Sequence, residues 1–110
     1  MQIRKGTADD LSLIRDLTKR ATDSTYFIEG MGDSAAKTVA AYVAKSTDVF
    51  QHALGSDNHS VYVATADEHL LGYVIAIHES PEIDWIMVDP ASHGSGAGKA
   101  LMIAALDALA

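Results

Sequence analysis

Gly94, Gly96 and Gly98 alternate along a stretch that ends at Lys99, the only Lys or Arg among residues 46–110. Glycine carries no Cβ, so the backbone of such a stretch can approach a ligand closely. The wider segment, Val88-Asp89-Pro90-Ala91-Ser92-His93-Gly94-Ser95-Gly96-Ala97-Gly98-Lys99-Ala100-Leu101, reads as strand, turn and helix start. The unbonded N–H groups that open a helix then point into the turn, where they and the dipole favour an anion such as phosphate. Just upstream, Glu79, Glu82 and Asp84 place carboxylates on or beside a strand. A carboxylate there can act as a general base, and clustered acids suit a cationic partner. The plainer alternative is that these are solvated strand-end acids.

Two nucleotide motifs fail on this segment. A Walker A loop counted back from Gly98-Lys99 would start at His93 and end at Ala100, which has no hydroxyl for magnesium. A G-x-G-x-x-G fingerprint from Gly94 meets Lys99 at its third glycine, and it belongs after the first strand of a parallel unit. Other chemistries are excluded on composition. The chain has no cysteine, and His52, His59, His69, His78 and His93 share no metal-ligand spacing, so no metal site is expected. There is no G-x-S-x-G elbow. Trp85 and Tyr73 read as core or pocket-wall aromatics, because no basic residues interleave with them.

With 110 residues, 48% hydrophobic and 21% charged, the chain is sized for one globular domain. Its formal net charge of -7 argues against nucleic acid as a partner. Residues 1–45 carry seven basic and six acidic side chains, and residues 46–110 carry one basic and nine acidic. No apolar run is long enough to span a membrane, and Met1-Gln2-Ile3-Arg4-Lys5 leads into a polar segment, so a cytoplasmic protein is expected.

The elements that must position these residues follow from hydrophobic period. Gln2 to Lys5 predicts a first strand. Thr7 caps a helix over about 8–21, with Asp9 and Asp10 at its positive end and Leu11, Ile14, Leu17 and Ala21 on its apolar face. Gly30 to Ser34 is punctuation, with Ser34 as a cap. Val39, Tyr42, Val43, Ser46, Phe50 and Leu54 continue at helical spacing, interrupted at Ser46-Thr47-Asp48 and closed by a left-handed Gly55. Ser60 to Ala66 and Leu70 to His78 predict a hairpin turning at Asp67-Glu68-His69, with Gly72 marking a bulge or a close approach. Glu82 to Val88 is a further strand, and Gly98 to Ala110 a helix that is apolar all round and should be covered on more than one side. The order β-α-α-β-β-β-α implies a mixed α/β fold.

His93-Gly94-Ser95-Gly96-Ala97-Gly98 after Val88-Asp89-Pro90 resembles the acetyl-CoA pyrophosphate loop of the GNAT N-acetyltransferase superfamily, whose pattern is Q/R-x-x-G-x-G/A. Ile3-Arg4 with Ala8-Asp9-Asp10, Leu71-Gly72-Tyr73 and Glu82 to Val88 are similar to its first strand and helix start, third strand and fourth strand. Two departures stand out: His93 replaces the usual Gln or Arg, and the chain ends at Ala110, inside the helix after the loop. The resemblance implies one GNAT-like domain over 1–110, incomplete at its C-terminus, with an antiparallel four-stranded sheet and flanking helices.

What the resemblance implies for function is direct transfer of an acetyl group from acetyl-CoA to a primary amine, with no covalent enzyme intermediate. Ile86, Met87, Val88, His93, Gly94, Ser95, Gly96, Ala97, Gly98 and Lys99 would bind acetyl-CoA. Backbone N–H groups near Met87 and Val88 would polarise the thioester carbonyl, and Asp84 would be the base ahead of Glu79 and Glu82. The rival expectation is a non-catalytic or degenerate CoA-binding or assembly module. A homodimer joins the two, with copies meeting at the open edge beyond the fourth strand.

Overall fold

The strand-like and helix-like runs resolve into β1 (Gln2–Lys5), α1 (Leu11–Tyr26), α2 (Gly32–Leu54), β2 (His59–Ala66), β3 (His69–Ile77), β4 (Glu82–Val88) and α3 (Ala97–Leu109), with 3-10 turns at Ala8–Asp10 and Pro90–Ser92. The computed structural model describes the backbone of residues 1–26 and 32–110, and the side chains of residues 1–21, 37 and 40–110. The four strands form one open antiparallel sheet in the order β1-β2-β3-β4. Both the mixed α/β class and the β-α-α-β-β-β-α order agree with the sequence reading.

Alternation along the strands sends side chains to two cores. On one face Ile14 and Leu17 of α1 and Phe50 and Ala53 of α2 pack on Val61, Val63, Tyr73 and Ile75. On the other, Ala97, Leu101 and Ala105 of α3 pack on Ala64, Val74 and Ala76. Phe50 meets Tyr73 edge-on with ring centroids 5.8 Å apart. Each large apolar side chain buried this way contributes about 1.5–3 kcal/mol.

Two bulges set what faces where. Ala64 pairs with Gly72 and Thr65 with Leu70, so Leu71 is an extra residue on β3. That insertion turns Leu70 towards the α1/α2 core and Leu71 towards α3. On β4, Ile75 pairs with Trp85 and Ala76 with Ile83, which leaves Asp84 as the extra residue. Gly72 satisfies both halves of its expectation, since it adjoins the first bulge and a Cβ on it would lie 2.7 Å from the Met87 carbonyl oxygen.

Several local expectations are corrected. α1 runs five residues beyond Ala21. α2 is unbroken through Ser46-Thr47-Asp48, because the Ser46 and Thr47 hydroxyls donate back to the Val43 carbonyl at 2.9 and 2.8 Å and leave the helical backbone intact. α2 starts at Gly32, so Ser34 lies inside it rather than capping it, while Gly30, Met31 and the Val39 side chain lie outside the described residues. Gly55 is not left-handed; its N–H bonds the His52 carbonyl at 3.2 Å. The hairpin turn contracts to Asp67 and Glu68, at φ 50° and 66°, the geometry of a type I′ turn. α3 is covered on one side only, leaving Ile103 and Leu106 half exposed. Among the described residues no helix is long and apolar enough to cross a membrane.

Candidate functional site

The β3–β4 ladder ends where the Asp89 N–H donates to the Leu71 carbonyl at 2.7 Å. Pro90 then turns the chain, the Ser92 N–H returns to the Asp89 carbonyl at 2.8 Å, and the Asp89 carboxylate accepts from the Ala91 N–H at 3.0 Å. Gly94 and Gly96 follow at φ 88° and 85°, left-handed values that side chains other than glycine rarely adopt. A Cβ at either would meet no atom within 4 Å, so the backbone requires glycine while the space above it stays open. Gly98 is not constrained in this way, because a Cβ there would make an ordinary contact with Val88 Cγ2 at 3.5 Å.

Gly96 is the N-cap of α3, and the first bond into the helix runs from the Ala100 N–H to the Gly96 carbonyl at 3.0 Å. The Ala97 N–H donates to Ser95 Oγ at 3.3 Å. Among the described residues the N–H groups of Gly94, Gly96, Gly98 and Lys99 meet no acceptor. They border an open groove of about 500 Å³ lined by Val88, Ser92, His93, Gly94, Gly96, Ala97, Gly98 and Lys99. Bare amides, a positive helix end and an exposed lysine are together chemically suited to an anion.

Most of the residues singled out for cofactor binding are thus brought together. Ser95 is not on the groove wall, and it supports the loop through its bond with Ala97. Met87 packs against the α1/α2 core, and Ile86 lies 38% exposed on β4. Ser92 lines the groove and was not singled out; only its position between Pro90 and the first glycine could have marked it.

The three acids are spread out. Asp84 sits in the β4 bulge, exposed, about 13 Å along an extended strand from Val88. Glu82 pairs with Ile77 at the start of β4, and Glu79 lies in the preceding turn with its N–H on Asn58 Oδ1 at 2.7 Å. Ladder alternation fixes the strand's amides. Since Asp89 bonds inward to Leu71, Met87 and Trp85 also face β3, and the N–H groups of Ile86 and Val88 point to the open edge. Tyr73 is unsuited as a proton donor: it is fully buried, its hydroxyl lies 3.4 Å from Thr18 Oγ1, and burial pushes its pKa up. No group of His, Asp or Glu among the described residues could hold a metal ion.

One ion pair reaches the loop. Arg20 of α1 donates to Asp89 Oδ2 from Nη2 at 2.8 Å and from Nε at 3.3 Å. A second lies at the far edge, where Arg4 grips Asp10 in a two-pronged contact at 2.8 and 2.9 Å. Asp10 also accepts from the Thr7 N–H at 2.8 Å, which closes the start of the first helical segment. Both partners hold the Asp10 carboxyl below its usual range, Arg4 most strongly.

Fold and site together define an α/β domain with a glycine-rich turn and bare backbone amides at a strand–helix junction. The chain belongs to the acetyltransferase (GNAT) family, whose sequence profile matches residues 16–110. No curated protein sequence gives a significant match. Solved structures that share the fold include the PaiA N-acetyltransferase of Thermoplasma acidophilum in complex with coenzyme A, 17% identical with a TM-score of 0.76, covering 98% of this chain and 70% of that one. AAC(6')-Iy, in complex with the bisubstrate analogue CoA-S-monomethyl-acetylneamine, is 23% identical with a TM-score of 0.62, covering 96% and 69%. The aminoglycoside 6'-N-acetyltransferase AAC(6')-IG of Acinetobacter haemolyticus is 18% identical with a TM-score of 0.64, covering 99% and 71%.

Proposed function

We propose that this chain binds acetyl-CoA in the groove at Val88 and His93–Lys99 and transfers the acetyl group directly to a primary amine of an acceptor. The glycine turn carries the reading, because it offers four bare amides and a lysine to a diphosphate at the N-terminus of α3. From there the pantetheine arm runs back along the open edge of β4, past Ile86 and Met87, towards Asp84. The amine nitrogen attacks the thioester carbonyl carbon. The outward N–H groups of Ile86 and Val88 are the donors for the oxygen that gains charge, and Asp84 takes the amine's proton. The C–S bond then breaks, and CoA leaves as a thiolate that picks up a proton. Glu79 and Glu82 extend the acidic surface and favour a cationic acceptor.

A second reading, a non-catalytic CoA-binding or assembly module, draws on one observation. Among the described residues no strand pairs with the outer edge of β4. Two copies meeting at this edge would reconcile the readings, and the exposed Ile86, Ile103 and Leu106 support such pairing.

Isothermal titration with acetyl-CoA tests the reading, beside Gly96→Glu, which puts a strained anionic side chain into the groove. Micromolar binding that the variant loses is the expected result, followed by CoA release on adding primary amines. No binding at ~1 mM, about -4 kcal/mol, would overturn it.

A further inference from the structure

The glycine loop has almost nothing to hold its shape. Gly94 and Gly96 have open space around them, and His93 to Gly96 are exposed. Its internal bonds form a relay of local contacts: His93 N–H to the Pro90 carbonyl at 3.4 Å, Ser95 N–H to the Ser92 carbonyl at 3.1 Å, and Ala97 N–H to Ser95 Oγ at 3.3 Å. The relay starts at Asp89, which joins the loop to the body of the fold by both its backbone and its side chain.

Asp89 divides its groups between the two. Its N–H is the last rung to β3, and its carbonyl accepts the Ser92 N–H. Oδ1 accepts the Ala91 N–H at 3.0 Å, fixing the first turn of the loop, while Oδ2 takes the forked Arg20 contact from α1. The Asp89 side chain is only 13% exposed and Arg20 is 52% exposed, so the acid is the anchored partner. Arg20 also offsets a negative charge that would otherwise stand beside the proposed diphosphate site.

We propose that Asp89 is the positioning residue of the acetyl-CoA loop and that Arg20 acts on the loop only through Asp89. The proposal rests on the acetyl-CoA reading above. Without the carboxylate the turn at Ala91 loosens, the amides of Gly94 to Lys99 lose their common aim, and binding falls while the sheet persists. Without Arg20 the carboxylate keeps its bond to Ala91 but is free to swing and carries an unpaired charge.

The test is acetyl-CoA affinity by titration for the wild type, Asp89→Ala, Asp89→Asn, Arg20→Ala, Arg20→Lys and the double Arg20→Ala/Asp89→Ala variant, with Tm and amide exchange over residues 91–98. Expected are a rise in Kd of about 10- to 100-fold for Asp89→Ala and a smaller rise for Asp89→Asn and Arg20→Ala. Arg20→Lys should recover part of the loss. The double variant should bind no worse than Asp89→Ala alone, the non-additivity of residues acting in series. Exchange over 91–98 should quicken in the unliganded variants, a change confined to the loop. If Asp89→Ala fails to fold, Asp89→Asn and Arg20→Ala decide by the same readouts. Variants that lose Tm yet bind within about twofold of the wild type would overturn the proposal and make Asp89 a purely structural strand end. Additive losses in the double variant would overturn the series relation. A wild type that binds no acetyl-CoA would overturn the parent reading and this one with it, which separates the two failures.

Discussion

Leu101 of α3 rests its Cδ1 3.0 Å from where a side chain at Gly72 of β3 would begin. The same missing Cβ lets β4 approach, since it would also lie 2.7 Å from the Met87 carbonyl oxygen and 3.2 Å from Val88 Cα. Gly72 therefore joins the helix that opens the groove to the strand that ends at it. Gly72→Ala must push apart two backbones and one fully buried leucine. It should destabilise the fold by about 1–3 kcal/mol. Urea unfolding with an unchanged m-value is the measurement, and a loss under half a kcal/mol would mean the strands have slack here.

The Arg4–Asp10 pair ties β1 to the first helical segment and gives stability a pH dependence with a definite sign. Asp10 is held below its usual pKa by Arg4 first and by the Thr7 amide, against an opposing contribution from burial. A carboxylate lowered in the folded state adds stability above its unfolded pKa, about 4, and loses it as pH falls through the folded value. Arg4 is raised, so its own share is complete at every working pH and vanishes only in strong alkali. Asp10→Asn should cost about 1–3 kcal/mol at pH 7, and the gap to the wild type should close on acidification. Chemical unfolding of both proteins between neutral pH and pH 2 measures it.

The β2–β3 turn places two residues other than glycine in the left-handed region, Asp67 at φ 50° and Glu68 at φ 66°. Asn-Gly suits this turn far better, because glycine removes the steric cost of positive φ. The double change Asp67→Asn/Glu68→Gly should stabilise the fold by about 1 kcal/mol. It lies on the hairpin, so acetyl-CoA affinity should stay unchanged. A drop in Tm would mean that Asp67 or Glu68 makes a compensating contact.

What was legible in the sequence is what local chemistry dictates. Val, Tyr and Thr marked β2, the apolar run from Leu70 marked β3, and Gly94 and Gly96 marked a turn whose left-handed backbone favours glycine. What was illegible depends on pairing. A bulge belongs to two strands at once, so no pattern within Glu82 to Val88 announces that Asp84 is the extra residue. Ser46 and Thr47 break helices when their hydroxyls find loop backbone, and here they fold back on Val43 instead. Asp89 looked like the end of a strand; its tie to Arg20, 69 positions away, emerges only once α1 lies over β4.

Self-association through the open edge predicts a concentration-dependent species in sedimentation equilibrium. Ile86 on β4 is 38% exposed, and Ile103 and Leu106 on α3 are 50% and 56% exposed. Leu106→Lys alone should shift the distribution towards monomer without lowering Tm, since that side chain is already half in water. A wild type that stays monomeric at millimolar concentration would remove the dimer and leave β4 unpaired in solution.

Asp84 is the most direct test of the chemistry, because its place in the bulge separates catalysis from folding. It pairs with no residue of β3, it is exposed, and it makes no hydrogen bond with another side chain, so Asp84→Asn should leave Tm and acetyl-CoA affinity unchanged. If it takes the amine's proton, kcat should fall by about 10²- to 10⁴-fold. Glu82→Gln and Glu79→Gln remove acids that lie further along the strand and in the turn before it, so they should raise KM for a cationic acceptor and leave kcat nearly intact. Steady-state rates of CoA release with one cationic and one neutral amine distinguish these roles. Equal kcat in the wild type and Asp84→Asn would move the base elsewhere, and a fall in kcat confined to Glu82→Gln would place it at the start of β4.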